Sequence, residues 1–410
     1  MLRLAFVLFT LSPPLDMDKT ISQLTHIKAV LLFASTMTVM SGAIIAPALP
    51  GISRHFPDQP QVVIQLILTL PALMITLFSP LMGYLADRFG RKKLLLMMLG
   101  IYGFAGGAGF FIDRVDLLLS SRALMGIAVA GILSISTTLV GDYFDSSERA
   151  RFLGLQSSCM ALGGVIFINL GGLLSDWSWR GPFLLYMTGV LLLPYAWAIL
   201  QEPQSSDGAS RDTSDAPVTV DYGRTVLAYL IAMISMTMFY MFPAQLPFLL
   251  SKQGQISGMA IGVALSMAAL TASIVAFCYG YYKPFLSVMT IYVLGFFLAA
   301  AGFLVVGFTQ SYAMAIVGAA ISGFGLGAFM PNTTTWLMRI TPQRVRGRVF
   351  GGFTSTFFFG QFISPVVVAP AVIWLESLRN VFTGMAVVCG LLAVVLIILG
   401  KTTLKADSQL

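Results

Sequence analysis

The feature that most constrains this chain is a series of long apolar stretches separated by short polar loops. An α-helix needs about 20 mostly apolar residues to cross the hydrocarbon core of a bilayer. Only 10% of the 410 residues are charged and 57% are hydrophobic, whereas a soluble domain carries roughly 25% charged residues. The pattern predicts an all-α membrane protein with twelve transmembrane helices, at about 29–50, 62–86, 94–112, 117–141, 150–175, 181–200, 225–250, 257–281, 286–308, 313–338, 349–374 and 379–400.

The polar segments divide the chain into five parts. The stretch between the sixth and seventh apolar segments is rich in Ser and Asp and has no apolar face, which predicts a flexible linker. Met17 is an alternative start, because the apolar stretch before it is too short to span and is followed by Pro13-Pro14. The predicted organisation is a tail at 1–28, a bundle at 29–200, the linker at 201–223, a second bundle at 224–400 and a tail at 401–410.

Lysine and arginine are distributed unevenly between the two sets of loops. The set that includes the linker and both termini holds 18 of them, and the opposite set holds five. Because cytoplasmic loops carry an excess of positive charge, we expect both termini on the cytoplasmic side of an inner membrane. The net charge of +7 then reflects orientation in the lipid bilayer and does not indicate a nucleic-acid partner.

The two halves of the chain repeat at a fixed offset of 197 residues. Gly83-Tyr84 corresponds to Gly280-Tyr281, and Arg149, Arg151 and Gly154 correspond to Arg346, Arg348 and Gly351. A duplicated six-helix unit explains the offset. We therefore expect two pseudo-symmetric six-helix bundles related by an axis along the membrane normal, with a substrate site near the midplane between them.

Residues 83–93 form a recognisable motif between the second and third spans. They read G-Y-L-A-D-R-F-G-R-K-K, which matches the pattern G-x-L-A-D-R-x-G-R-K of the major facilitator superfamily. With twelve spans and a central linker, nearly the whole chain resembles this family and most closely its twelve-helix drug–proton antiporter branch. The second-half copy, Gly280-Tyr-Tyr-Lys283-Pro284, lacks both the acid and the arginine pair.

The resemblance implies that this loop is a conformational latch. Asp87 would meet the positive N-terminus of span eleven, which begins near Arg348, and Arg91 would pair with Asp142. These contacts would hold the two halves in the outward-facing state; the alternative is that the charges only set the orientation. The residues assigned to the latch are Gly83, Asp87, Arg88, Gly90, Arg91 and Asp142.

Two motifs bear on proton coupling. Arg122 and Gly126 resemble the R-x-x-x-G motif of proton-linked members, and a charge inside a membrane helix is a functional hypothesis; the alternative is that Arg122 reaches out to Asp116. Span five has Phe167-Ile168 where antiporters typically carry Gly-Pro, which argues against the antiport subclass. The coupling candidates are Arg122 and Asp142.

No acidic residue lies in the middle third of any predicted span. Proton coupling usually uses a buried carboxylate, so protons are a possible rather than a required partner. A cavity with one arginine and no acid suits neutral, zwitterionic or anionic amphiphiles. The candidate lining residues are Gln65, Asn169, Met236, Phe239, Tyr240, Asn332, Phe358 and Gln361. The alternatives are lipid contact or packing for the apolar ones and interhelical hydrogen bonds for the amides.

Other chemistry has little support in the sequence. Two histidines and three cysteines show no metal spacing, and there is no phosphate-binding loop, so we predict no cofactor, no metal and no enzymatic activity. The predicted function is secondary active export of a small amphiphilic solute in exchange for protons. We expect the transporter to be a monomer. The alternatives are a dedicated metabolite or siderophore exporter, an importer or facilitator without proton coupling, and, outside transport, a membrane-bound enzyme or sensor.

Overall fold

The computed structural model describes residues 17–144, 146–202, 221–254 and 256–407, and all regular structure within them is helical. The predicted tail before Met17, most of the predicted linker and residues 408–410 lie outside this description. The spans, numbered in chain order, are Met17–Ala43 with Leu49–His55 (one), Gln61–Phe89 (two), Arg91–Ala108 (three), Val115–Tyr143 (four), Ser146–Trp177 (five), Gly181–Met187 with Thr188–Ile199 (six), Tyr222–Ser251 (seven), Gly258–Phe277 (eight), Val288–Gly307 (nine), Tyr312–Leu326 with Phe329–Ile340 (ten), Arg346–Leu375 (eleven) and Leu378–Asp407 (twelve).

Eleven of these spans in the described part of the chain are long and apolar enough to cross a membrane. The other, span three, has 18 residues and begins with Arg91-Lys92-Lys93, so its apolar part is shorter. The predicted twelve-helix fold is confirmed, with differences at the helix ends. Span one begins at Met17 and span twelve continues to Asp407, so residues placed in the predicted tails are helical.

Prolines interrupt two of the spans near the end of the molecule opposite the termini. Span one breaks after Ala43 and continues through a 3₁₀ turn containing Pro47 into the helix Leu49–His55. Span six opens with a 3₁₀ segment whose second residue is Pro182. Proline lacks an N–H donor and fits only the first turn of a helix without disrupting it, which explains why the helices restart at these positions.

The packing of the spans repeats between the two halves. In the first half span two packs on span four, span three on span six and span one on span five; in the second half span eight packs on span ten, span nine on span twelve and span seven on span eleven. Between the halves, span two packs on span eleven and span five on span eight. Exchanging the halves converts one of these two contacts into the other, as a two-fold axis along the membrane normal requires.

Two glycines show that the repeat extends to individual contacts. A Cβ added to Gly126 would lie 2.6 Å from the Cα of Pro71, and one added to Gly323 would lie 2.3 Å from the carbonyl oxygen of Ala268. The 197-residue offset relates Gly126 to Gly323 and Pro71 to Ala268. Span four therefore approaches span two, and span ten approaches span eight, through the same close contact between small residues.

We expect Gly126→Ala and Gly323→Ala each to lower the free energy of unfolding by about 1–3 kcal/mol, because the added methyl group forces two packed helices apart. The measurement is thermal unfolding of the purified protein in detergent. Gly154→Ala and Gly351→Ala are matched controls, since a Cβ at either position meets no atom within 4 Å. Equal loss in all four variants would contradict the close-approach explanation.

Candidate functional site

The loop between spans two and three turns at Gly90. Its φ of +91° lies in a region that favours glycine, and span two ends at Phe89 immediately before it. Gly83, by contrast, has room for a methyl group, since its nearest neighbour would be Ser134 Oγ at 3.9 Å. Arg88 remains on its own helix, 3.5 Å from the Tyr84 hydroxyl.

Arg91 ties this loop to the end of span four. Its guanidinium forms a close ion pair with the carboxylate of Asp142, as the sequence predicts. It also lies 3.6 Å from Asp87 Oδ1, one helical turn away. Within the described residues the ion pair of Asp87 is therefore made inside its own loop, and 72% of that side chain is exposed.

Glu202, which the sequence analysis placed in the linker, belongs to the same cluster. Its carboxylate accepts from the backbone N–H of Arg91 at 2.5 Å and of Lys92 at 3.1 Å. These are unpaired donors of the first turn of span three, where a negative charge is favourable. The end of span six is thereby fixed to the motif loop. The only sequence signal was an acid directly after an apolar stretch.

Arg122 is completely enclosed in the first bundle. Its Nη2 donates to the carbonyls of Ala105 at 3.2 Å and Gly106 at 2.7 Å. Its guanidinium carbon lies 5.0 Å from the ring centre of Phe183 and 4.8 Å from that of Tyr186. Span three ends at Ala108, so these carbonyls belong to its last turn, which lacks intrahelical donors and favours a positive charge.

This placement bears on both coupling candidates. Asp116, the alternative partner of Arg122, instead pairs with Arg114 at 2.6 Å, so the alternative in which Arg122 reaches out to it does not hold. Arg122 and Asp142 are 20 residues apart on one continuous helix, which separates them by about 30 Å at 1.5 Å per residue. They therefore occupy two separate environments.

Glutamine side chains join the two bundles near the end opposite the termini. Gln65 Nε2 of span two donates to the Ala244 carbonyl at 2.8 Å and to Gln245 Oε1 at 2.9 Å, both in span seven. Gln61 Nε2 donates to the same Gln245 oxygen at 3.1 Å. Gln65 and Gln245 are each 1% exposed. In this conformation Gln65 closes the interface between the bundles.

A second group of predicted lining residues meets deeper between the bundles. A Cβ added to Gly42 of span one would lie 2.7 Å from the Tyr240 hydroxyl and 3.2 Å from Gln361 Nε2. Spans one, seven and eleven thus bring a phenol and an amide to one point. The other candidates on these spans are half-buried; they are Met236, Phe239 and Phe358.

The two asparagines differ in position. Asn169 lies on span five against Gly262 of the other bundle, and its buried Oδ1 has no hydrogen-bond partner in the described structure. Asn332 is fully buried inside the second bundle, where it donates to the Val288 carbonyl and accepts from the Tyr279 hydroxyl. The structure therefore assigns Asn332 to interhelical packing, apart from the other candidates.

The end opposite the termini is closed by contacts between spans five and eight. Asp176 of span five accepts from the backbone N–H of Gly258 at 2.5 Å and of Met259 at 3.0 Å. Beside this contact lies a cavity of about 650 Å³, formed by the ends of spans one, five, seven and eight and lined by Arg54 as well as Asp176. The sequence analysis did not identify Asp176.

At the end that carries the termini, spans five and eleven each have a glycine with open space beside it. Cβ atoms added to Gly154 of span five and Gly351 of span eleven would meet nothing within 4 Å. The adjacent Leu153 and Leu155 are 38% and 49% exposed. Further along, spans two and eleven are joined by two hydrogen bonds, from the Thr76 hydroxyl to the Ser355 carbonyl at 3.2 Å and from the Ser355 hydroxyl to the Thr76 carbonyl at 3.4 Å.

Comparison with known proteins is consistent with this architecture. The family model described as Major Facilitator Superfamily matches residues 31–282 and residues 225–409. The two matches together cover both bundles.

Individual relatives and one solved structure extend the comparison. The bacillibactin exporter of Bacillus subtilis (strain 168) is 24% identical over 365 residues, which are 83% of this chain and 89% of that protein. The class C tetracycline resistance protein of Escherichia coli is 32% identical over 164 residues, only 38% of this chain and 39% of that protein. A bacterial homologue of the human lysosomal transporter Spinster, in an inward-facing and unoccupied conformation, superimposes with a TM-score of 0.76 at 16% identity, covering 94% and 98% of the two chains. At that identity the structural likeness concerns the fold.

We expect Arg122→Met to destabilise the protein, because the Ala105 and Gly106 carbonyls lose their donors inside an apolar bundle. Each unpaired carbonyl costs about 1–3 kcal/mol. Arg122→Lys should recover part of the loss, since it restores one charged donor without the planar fork. Thermal unfolding in detergent is the measurement, with the 71% exposed Arg114 changed to Met as the control. Full stability of Arg122→Met together with loss of transport would instead indicate a direct role in coupling.

Proposed function

Because this chain belongs to the major facilitator superfamily, we propose that it is a secondary active transporter that exports a small amphiphilic organic compound by alternating access. The observation that supports the mechanism is the set of hydrogen bonds that joins the described parts of the two bundles at the end opposite the termini. Asp176 and the glutamines Gln65 and Gln245 join them at the end opposite the termini, while Gly154 and Gly351 border open space at the other end. Rocking one bundle on the other would reverse this arrangement.

The substrate class follows from the groups that lie between the two bundles. Tyr240, Gln361, Met236, Phe239 and Phe358 offer one hydroxyl, one amide and a soft apolar surface, which suits varied amphiphilic ligands. Arg122 offers no charge to the pathway, because its guanidinium is fully buried in the first bundle, where it donates to the Ala105 and Gly106 carbonyls. We therefore favour a compound without net charge over an anionic one.

The direction of transport rests on the relatives. The exporter of bacillibactin is similar along most of its length, and the tetracycline resistance protein is similar over a shorter segment. We propose that the substrate leaves the cell, through an inner membrane in which a monomer has both termini in the cytoplasm. A dedicated metabolite exporter and an importer or facilitator without proton coupling remain the alternatives within transport.

The motif loop would serve as the latch of the opposite conformation. Arg91 holds Asp142 and reaches Asp87, and Glu202 fixes the start of span three beside them. Asp87 is left exposed at the loop surface, available to meet the N-terminus of span eleven when the bundles close at this end. Asp142 and Asp87 are then the carboxylates proposed for proton coupling.

The decisive experiment reconstitutes the protein in liposomes containing a pH-sensitive dye and adds a panel of neutral, zwitterionic, anionic and cationic amphiphiles. We expect substrate-evoked proton flux in the wild type and its loss in Asp142→Asn. Asp116→Asn is the matched control, because Asp116 lies at the other end of the same helix in a surface pair with Arg114.

Other outcomes would contradict specific parts of the proposal. Substrate movement without proton flux in the wild type would identify a facilitator. Preferential transport of cations would contradict the substrate class, and a reaction product formed from a membrane substrate would favour an enzyme. A panel in which nothing moves would overturn broad amphiphile export in favour of a dedicated metabolite.

A further inference from the structure

We propose that Asp176 is the positioning residue that holds the molecule closed at the end opposite the termini, by capping the N-terminus of span eight from the other bundle. This inference rests on the proposed alternating access and adds the residue that sets the balance between its two states. A substitution at Asp176 should therefore change how often this end opens, while the fold of each bundle stays intact.

The first argument is that Asp176 lies at an unfavourable place in its own helix. Span five ends at Trp177, so Asp176 is in the last turn, where the helix dipole disfavours a negative charge. A compensating partner is needed, and the structure provides it in the first turn of span eight. There the unpaired N–H groups of Gly258 and Met259 point at the carboxylate and the dipole favours an anion.

The second argument is that the surrounding residues let the two helices meet at this point. A Cβ on Gly172 would lie 2.5 Å from the Gly258 carbonyl oxygen, and a Cβ on Gly262 would lie 3.0 Å from that of Ile168. The absence of side chains at these glycines brings the backbones of spans five and eight together. The carboxylate thus closes a contact whose shape is already complementary.

The third argument is that the contact is reversible. Asp176 is exposed and lines the 650 Å³ cavity together with Arg54, so water and a cation are near when it leaves span eight. A surface interaction between a charge and a helix end is weak, at roughly 0.3–1 kcal/mol. Such a contact biases an equilibrium between two conformations without locking either of them.

The fourth argument is that the carboxylate cap has no counterpart at the position related to it by the pseudo-two-fold axis. The 197-residue offset places Ile373 opposite Asp176 and Gln61 opposite Gly258. Ile373 is an exposed apolar residue, and Gln61 instead bonds to Gln245. One half of this end is therefore closed by a carboxylate on a helix terminus and the other half by amides.

Asp116 provides a control within the same chain. It lies in the first turn of span four, at the same end of the molecule as Asp176. Its ion pair, with Arg114 at 2.6 Å, lies within the first bundle. Removing its charge should therefore leave the movement of the two bundles unchanged.

The test uses a cysteine reporter in the full-length protein in lipid nanodiscs. Cys159, Cys278 and Cys389 are replaced by Ser, and Ile261→Cys is introduced at the edge of the cavity, where Ile261 is 3% exposed. The labelling rate with a hydrophilic maleimide then reports opening of this end. We expect Asp176→Asn to raise that rate roughly two- to fivefold, as loss of a charge at a helix end implies.

The accompanying variants distinguish a gating role of Asp176 from a general loss of stability. Asp176→Glu should keep the wild-type rate, and Asp116→Asn should leave it unchanged. If Asp176→Asn does not fold, Asp176→Ala, which removes the carboxylate, should raise the rate to at least the same extent. Unchanged labelling in folded Asp176→Asn or Asp176→Ala, or an equal rise in Asp116→Asn, would overturn the proposal.

The labelling experiment needs no substrate, so its failure is distinct from failure of the proposed export function. If the labelling rate depends on Asp176 but the protein transports nothing from the amphiphile panel, the gating role is supported and broad export is refuted. Transport with unchanged labelling would support export and refute the role of Asp176.

Discussion

Charged side chains placed at helix ends are the interaction on which much of this structure depends. The last carbonyls and first N–H groups of a helix have no partners within it, and lipid offers none. Arg122 satisfies carbonyls at the end of span three, Glu202 satisfies N–H groups at its start, and Asp176 does the same for span eight. The chain has only 10% charged residues, and others among them are used in the same way, such as Asp221 at the start of span seven.

These three contacts differ in what they connect, and this decides their function. Arg122 and Glu202 join spans of the first bundle and stabilise a unit that moves as one body. Asp176 joins the two bundles, so its contact must break whenever the end opposite the termini opens. The same electrostatic interaction is therefore structural in two places and conformational in the third, depending only on which helices it links.

The fold was predictable because it depends on length and repetition. Twelve apolar stretches and one offset predict the spans and the relation between the two halves, and the offset relates Gly126 and Pro71 to Gly323 and Ala268. The Arg91–Asp142 pair was predictable from a motif. The partners of Arg122 and Asp176 were not, because backbone carbonyls and N–H groups carry no sequence signature. An acid in the last turn of span five was the one available signal, and recognising it requires the helix boundary.

The burial of Arg122 also changes the view of the transport pathway. Deeper between the bundles, a hydroxyl and an amide meet at Tyr240 and Gln361, whereas Arg122 is enclosed within the first bundle and the carboxylate of Asp176 joins the bundles at their end. When spans two and seven separate, Gln65 and Gln245 lose each other as partners and become free to bond to a polar group on a ligand. Because an unpaired buried amide is unfavourable, a neutral ligand with hydrogen-bonding groups can replace these contacts as the bundles part. Substrate binding and the opening of this end would then depend on the same two side chains. The two events would be coupled without a charge in the middle of the membrane.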